Sequence, residues 1–136
     1  DKKFINKLMK KIKDGDKELF IVNDKDGTPT YTHDFAKNVR TLLEKEFWGL
    51  YNMVCGGQAS RIEVANELIK VIEKEGEIKI IPVSSEYFKE EYYAPRPMSE
   101  RLINKKLTLR NLNIMRDWKV TLKEYIKDYY EGYFEN

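Results

Sequence analysis

The sequence predicts an α/β domain, a small and mostly parallel sheet with flanking helices. Short apolar runs at 18–22, 50–55 and 78–83 alternate with stretches of helical period. That alternation argues for parallel pairing through right-handed crossovers. The length of 136 residues, 41% of them hydrophobic, is enough for one core but not two. Residues 1–136 are therefore expected to form one domain.

The first helix is expected from about Lys3 to Asp14, with Phe4, Ile5, Leu8, Met9 and Ile12 on one face and a stop near Gly15. Lys7, Lys10, Lys11 and Lys13 form its basic, solvated face. Glu18 to Val22 reads as a strand, followed by a polar turn through Gly27 and a short extended piece from Thr28 to Thr32. A second helix then buries Phe35, Ala36, Val39, Leu42 and Leu43 and ends before Trp48-Gly49. Thr32 is its expected N-cap, and Asp34 places negative charge where the helix dipole is positive. Leu50 to Cys55 reads as a strand closed by Gly56-Gly57. Ser60 and Glu63 form a capping box, opening a helix with Ile62, Ala65, Leu68, Ile69 and Ile72 inward. Ile78 to Val83 is the third strand, with Pro82 placing it at an edge or an end. Ser84 and Ser85 are expected to cap a short helix running through Phe88 to Tyr92. A less regular stretch through Leu107 and Leu109 leads to a last helix from about Arg116 to Tyr130, carrying Trp118, Leu122, Tyr125, Ile126 and Tyr129.

Composition excludes several functions. No apolar run approaches the roughly 20 residues that span a bilayer, and no secretory signal pattern is present. A lone Cys55 can form no internal disulfide, which points to a reducing cytoplasm. Lys and Arg number 25 against 23 Asp and Glu, mostly interleaved, so neither a polyanion nor nucleic acid is an expected partner. The chain begins at Asp1 without an initiator Met and enters at once on a helical pattern, as the middle of a longer polypeptide would.

Two segments carry the chemistry. In Val22 to Asp34, Gly27 can take a positive φ, while Pro29 fixes its own φ and holds Thr28 extended. A turn with so little freedom serves either as a structural corner or as a binding site. In Ala94-Pro95-Arg96-Pro97, one guanidinium lies between two prolines on a segment that is neither helix nor central strand. A rigidly held Arg suits bidentate contact with phosphate or carboxylate, and equally pins a loop to a carbonyl or an acidic neighbour. Other chemistry is missing. No glycine series for a dinucleotide phosphate exists, and no Tyr has a Lys four residues later. His33 reads as a surface residue in the first turn of a helix, and Cys55 as a small buried hydrophobe. Metal ligands are too few for a cluster. No catalytic residue is assigned in this chain.

Three stretches resemble one family. Asp24-Lys25-Asp26-Gly27-Thr28-Pro29-Thr30-Tyr31-Thr32, then Asp34-Phe35-Ala36, is similar to a D-Q-x-G-S-P-T-Y-T pattern followed by D-L-A. Gly49-Leu50-Tyr51-Asn52 with Gly56 and Ser60 is similar to a G-x-Y-H strand and the helix after it. Arg96-Pro97 with Leu102, Asn104, Lys106 and Leu107 is similar to R-P-x-x-S-x-L-x-N-x-K-L. These belong to the C-terminal substrate-binding part of dTDP-4-dehydrorhamnose reductase and its close relatives in the extended short-chain dehydrogenase/reductase superfamily. Lys25, Thr28 and Glu100 depart from the family's Gln, Ser and Ser.

The resemblance implies that a Rossmann half, absent from this chain, holds NAD(P)H and supplies the catalytic Ser/Thr, Tyr and Lys. The chain alone would then bind no cofactor and be inactive. It implies that Gly27, Thr28, Pro29, Thr30 and Tyr31 line a cleft facing that half, and that Arg96 reaches the pyrophosphate of a dTDP-linked sugar nucleotide. Tyr92 and Tyr93 either flank that ligand or pack in the core. The aromatic tail of Tyr129, Tyr130, Tyr133 and Phe134 packs in this domain or on the missing half, and a homodimer stays open. Two alternatives stand beside the reductase. One is an epimerase or dehydratase acting on another sugar nucleotide, and the other is a non-catalytic binding or regulatory subunit of the same fold.

Overall fold

The computed structural model describes residues 4–90 and 97–135. Tyr92, Tyr93 and Arg96 lie outside them.

The first helix, α1 (Phe4–Lys13), buries Leu8, Met9 and Ile12 and ends where Gly15 adopts φ +98. There Asp16 N–H reaches back to Lys11 C=O at 3.0 Å, a left-handed helix stop that only glycine makes without strain. The chain reverses into β1 (Glu18–Val22), whose Leu19 and Ile21 point into the core while Phe20 stacks on Tyr87 outside it. β1 pairs in parallel with β4 (Lys79–Val83), in register from Glu18 opposite Lys79 to Val22 opposite Val83. Among the described residues β1 is the only neighbour of β4. Pro82, which has no N–H to donate, is tolerated on such an edge.

The crossover from β1 to β4 runs through residues 23–78. β2 (Asp26–Gly27) and β3 (Ala59–Ser60) make a second, antiparallel pair, with Asp26 opposite Ser60 and Gly27 opposite Ala59. α3 (Arg61–Val71) begins on the predicted capping box: Glu63 N–H donates to Ser60 Oγ at 3.2 Å and Ser60 N–H to Glu63 Oε2 at 2.6 Å. Its Val64, Ala65, Leu68 and Ile69 are buried against β1, α1 and α5 (Trp118–Tyr130). α5 starts on an Asp117 cap and buries Trp118, Thr121, Leu122 and Ile126. Tyr125, Tyr130, Tyr133 and Phe134 pack onto the same core in a series of edge contacts, and Tyr130 Oη donates to Asn6 Oδ1 at 2.8 Å. That part of the aromatic tail is therefore internal, while Tyr129 stays exposed.

Five expectations are corrected. α2 (Thr32–Glu44) does not bury its apolar stripe: Phe35, Ala36 and Leu43 are exposed, and the buried residues are Asp34 and Asn38. Those two bond the irregular stretch 112–116, so buried polar partners hold this face of the helix. Its N-cap is Tyr31, without a side-chain cap bond, so Thr32 lies one position inside the helix. Leu50 to Cys55 joins no strand ladder among the described residues, leaving two pairs of strands in place of one sheet of three or four. Ser84 makes no side-chain cap for the 3-10 turn Ser85–Phe88, and the Ser85 hydroxyl is turned to Asp24. The 105–109 stretch, expected to be irregular, is a short helix, α4 (Lys105–Leu109), which buries Leu107.

Candidate functional site

The Gly27 corner is fastened on three sides. Asp26 N–H donates to Met98 C=O at 2.9 Å and Glu100 N–H donates to Asp26 C=O at 3.0 Å, so the chain just after Arg96 runs alongside the corner. On the second side, β3 pairs with Asp26 and Gly27. On the third, the Asp24 carboxylate accepts from Ser85 N–H at 3.0 Å and Ser85 Oγ at 2.8 Å. The Ser85 backbone and hydroxyl bonds hold that carboxyl below the usual aspartate range. The other oxygen, Asp24 Oδ1, is buried without a hydrogen-bond partner among the described residues.

Beyond Gly27 the loop splits between two hollows. Thr28 lines one of about 430 Å³, with Gly56, Gly57, Arg101, Asn104 and Asn113 among its walls. Pro29, Thr30 and Tyr31 line another of about 410 Å³, walled by Ile5, Val64, Trp118, Leu122 and Tyr125. The first is polar where it matters. Arg101 Nε donates to Ser99 Oγ at 2.8 Å and Nη1 to Gln58 Oε1 at 3.1 Å, and no carboxylate pairs with it among the described residues. A guanidinium oriented by neutral acceptors keeps its charge available to an anion. Sequence reading missed Arg101, since nothing around it in the chain announces Gln58. The second hollow is mainly apolar, suited to a ring or methyl group rather than to a charge.

Thr30 locks the loop from inside. Its hydroxyl donates to Thr28 C=O at 3.0 Å and accepts from Cys55 N–H at 3.4 Å. Cys55 is buried and free, receives Tyr31 N–H at 3.4 Å on its sulfur, and lies 3.7 Å from Thr121 Oγ1. Tyr31 itself is a core residue at 8% exposure, so its ring fills the domain and only one side reaches the hollow. Burial, then the Asp128 charge, pushes its hydroxyl up to about 12.

Tyr31 Oη meets His33 Nδ1 at 2.9 Å, and Tyr129 Oη meets His33 Nε2 at 2.9 Å. Both ring nitrogens are thereby engaged. His33, Glu124 and Asp128 bring possible metal ligands within 4.8 Å of one another. Glu124, however, is held by Arg116 at 2.5 Å. The group is thus a hydrogen-bonded surface network. Arg116 also grips Asp34, with Nη2 2.6 Å from Oδ1 and Nε 2.9 Å from Oδ2. The Arg116 bonds lower the Asp34 carboxyl, and in return Asp34 and then Glu124 raise the guanidinium.

The loop after Gly27 thus lies between two hollows, one edged by the Arg101 guanidinium and one mainly apolar. A family model described as RmlD substrate binding domain matches residues 1–131. The spore coat polysaccharide biosynthesis protein SpsK of Bacillus subtilis (strain 168) is 30% identical over 121 residues, covering 88% of this chain and 40% of that protein. A dTDP-4-dehydrorhamnose reductase of Clostridium acetobutylicum superposes with a TM-score of 0.83 at 32% identity, over 93% of this chain and 44% of that one. For the fold alone, a dTDP-4-dehydrorhamnose reductase of Bacillus anthracis solved in complex with NADP gives 0.79 at 23% identity, over 93% of this chain and 43% of that one.

The chain belongs to the RmlD substrate binding domain family. It spans less than half the length of these relatives.

Proposed function

We propose that this chain is the sugar-nucleotide-binding half of a dTDP-4-dehydrorhamnose reductase. Hydride would pass from NAD(P)H to the 4-keto group of dTDP-4-dehydro-L-rhamnose, giving dTDP-L-rhamnose, with cofactor and catalytic residues supplied by a Rossmann half. The observation that carries this reading is the double hydrogen bond of Asp26 with Met98 and Glu100. It lays residues 98–100, just beyond the Ala94-Pro95-Arg96-Pro97 element, against the Gly27 corner.

Within this reading Thr28 and Arg96 face the diphosphate, since a planar, always-charged fork grips that group best. Pro29, Thr30 and Tyr31 offer the apolar and hydroxyl contacts that a nucleoside or deoxysugar ring needs. A buried, unpaired Cys55 fits a reducing compartment, the cytoplasm. No helix among the described residues is long and apolar enough to cross a membrane.

The test mixes the 136-residue chain with NADPH and dTDP-4-dehydro-L-rhamnose. Binding of the sugar nucleotide, read by calorimetry, without sustained loss of NADPH absorbance is the expected result. Continuous oxidation would place the reaction centre in this chain and overturn the assignment.

A further inference from the structure

Three segments run side by side at the Gly27 corner. Gly27 lies opposite Ala59 in the antiparallel pair, and Asp26 bridges Ser99 in parallel on its other side. Continuing the same registers brings Thr28 level with Gln58 on one side and with Arg101 on the other. All three line the hollow of about 430 Å³.

What they bring to it is hydrogen-bond donors. Arg101 Nε donates to Ser99 Oγ at 2.8 Å and Nη1 to Gln58 Oε1 at 3.1 Å, which leaves the N–H groups of Nη2 unspent among the described residues. Gln58, its amide oxygen taken by Arg101, keeps its N–H groups to donate, and Thr28 adds a hydroxyl. Another wall, Asn104, is already spent. Its amide bonds Val54 through both ends, at 2.9 and 2.6 Å, and Asn113 Oδ1 at 3.1 Å. No Asp or Glu stands among the described walls, in a chain that holds 23 of them. A neutral clamp thus fixes the guanidinium and leaves its charge uncompensated, which a carboxylate in place of Gln58 would not do. Donors arriving from three segments suit a group with oxygens in three directions. That group is a phosphoryl group, because a flat carboxylate is already satisfied by one guanidinium fork.

We propose that Arg101 is a phosphoryl-binding residue, with Thr28 and Gln58 completing the contact, and that Gln58 is its positioning residue. The inference deepens the reading above and rests on it for the ligand, since a dTDP-sugar brings a diphosphate to this corner. Arg101 falls on an open position of the R-P-x-x-S-x-L pattern, so the contact belongs to this chain and not to that pattern.

The test titrates the 136-residue chain with pyrophosphate, dTDP and thymidine, following the side-chain N–H signals of Arg101 and Gln58 by NMR. Pyrophosphate and dTDP should both move these signals to saturation, and thymidine should not. Arg101 is exposed, so Arg101→Ala should keep the parent's melting temperature while weakening dTDP binding on the order of tenfold to a hundredfold. Arg101→Lys, which keeps the charge and loses the fork, should recover only part of that loss. Gln58 is read from the order of two variants. Gln58→Glu keeps size and shape but sets a carboxylate on the guanidinium, so it should weaken dTDP binding more than Gln58→Ala does. If Gln58 only packed the loop, the near-isosteric Glu would be the milder change, and that order would overturn the positioning role.

Unchanged dTDP affinity in Arg101→Ala would overturn the phosphoryl site, as would signals that pyrophosphate leaves unmoved. The proposed function fails separately. A chain that binds pyrophosphate through Arg101, yet holds dTDP-4-dehydro-L-rhamnose no more tightly than pyrophosphate, would defeat the sugar-nucleotide reading and leave the site standing. Sugar nucleotide bound at full strength by Arg101→Ala would do the reverse.

Discussion

Asp34 and Arg116 are 82 positions apart in sequence, and their bidentate contact ties the start of α2 to the entry of α5. The Arg116 hydrogen bonds lower the carboxyl, so Asp34 contributes stability that is complete above its ordinary value of 3.8 and is lost as pH falls through the depressed folded value. Asp34→Asn should therefore cost about 1–3 kcal/mol at neutral pH. Denaturant titrations should also show the variant losing less further stability than the parent when pH drops below about 4. Equal acid sensitivity in both proteins would remove Asp34 from this role. Gly57 offers a second residue-scale test. Its φ of +83 is joined by crowding, since an added Cβ would lie 2.8 Å from Trp118 Cδ1 and 3.1 Å from Asp117 Oδ2. Gly57→Ala should destabilise by about 1–3 kcal/mol, read as a lower unfolding midpoint, because both the backbone and a buried Trp would have to shift.

At the scale of elements, α3 shows local sequence deciding its own structure. Ser60, Glu63 and the inward Ala65, Leu68 and Ile69 lie within ten residues, and the capping box that starts the helix is among them, although Arg61 N–H reaches out to Lys25 C=O at 3.3 Å. Ser60→Ala should cost about 1 kcal/mol by thermal melting, with Glu63 losing its reciprocal partner. α2 shows the opposite. Its apolar spacing was legible, but the spacing says only that one face seeks cover, not who supplies it. Within this domain Asn38 donates to Leu112 C=O at 2.9 Å and accepts from Ile114 N–H at 3.1 Å, contacts that no local pattern announces. The apolar face is left outward. The run at 50–55 follows the same logic, since strand chemistry specifies an extended chain but pairing needs a neighbour. The site was partly legible too. Gly27 and Pro29 stood out through backbone restriction, whereas Arg101 became visible only once Gln58 and Ser99 were folded around it.

For the molecule as a whole, the prediction concerns division of labour. In the two-part reductase proposed above, Arg96→Ala should weaken sugar-nucleotide binding by a few kcal/mol if the charged contact is desolvated, while NADPH affinity stays as it was. Calorimetry with each ligand separates the two, and an unchanged sugar-nucleotide affinity would reject the pyrophosphate role. The sequence by itself determined the helix α3 that carries its own cap, the β1 and β4 runs and the confined Gly27 corner, because these depend on neighbours a few residues away. Only the tertiary structure decided which face of α2 is buried, that Tyr31 is core, that the corner opens onto two hollows, and that the 50–55 run joins no strand ladder among the described residues. Those outcomes depend on partners dozens of residues distant, brought together by burial and hydrogen bonding that no short window of sequence contains.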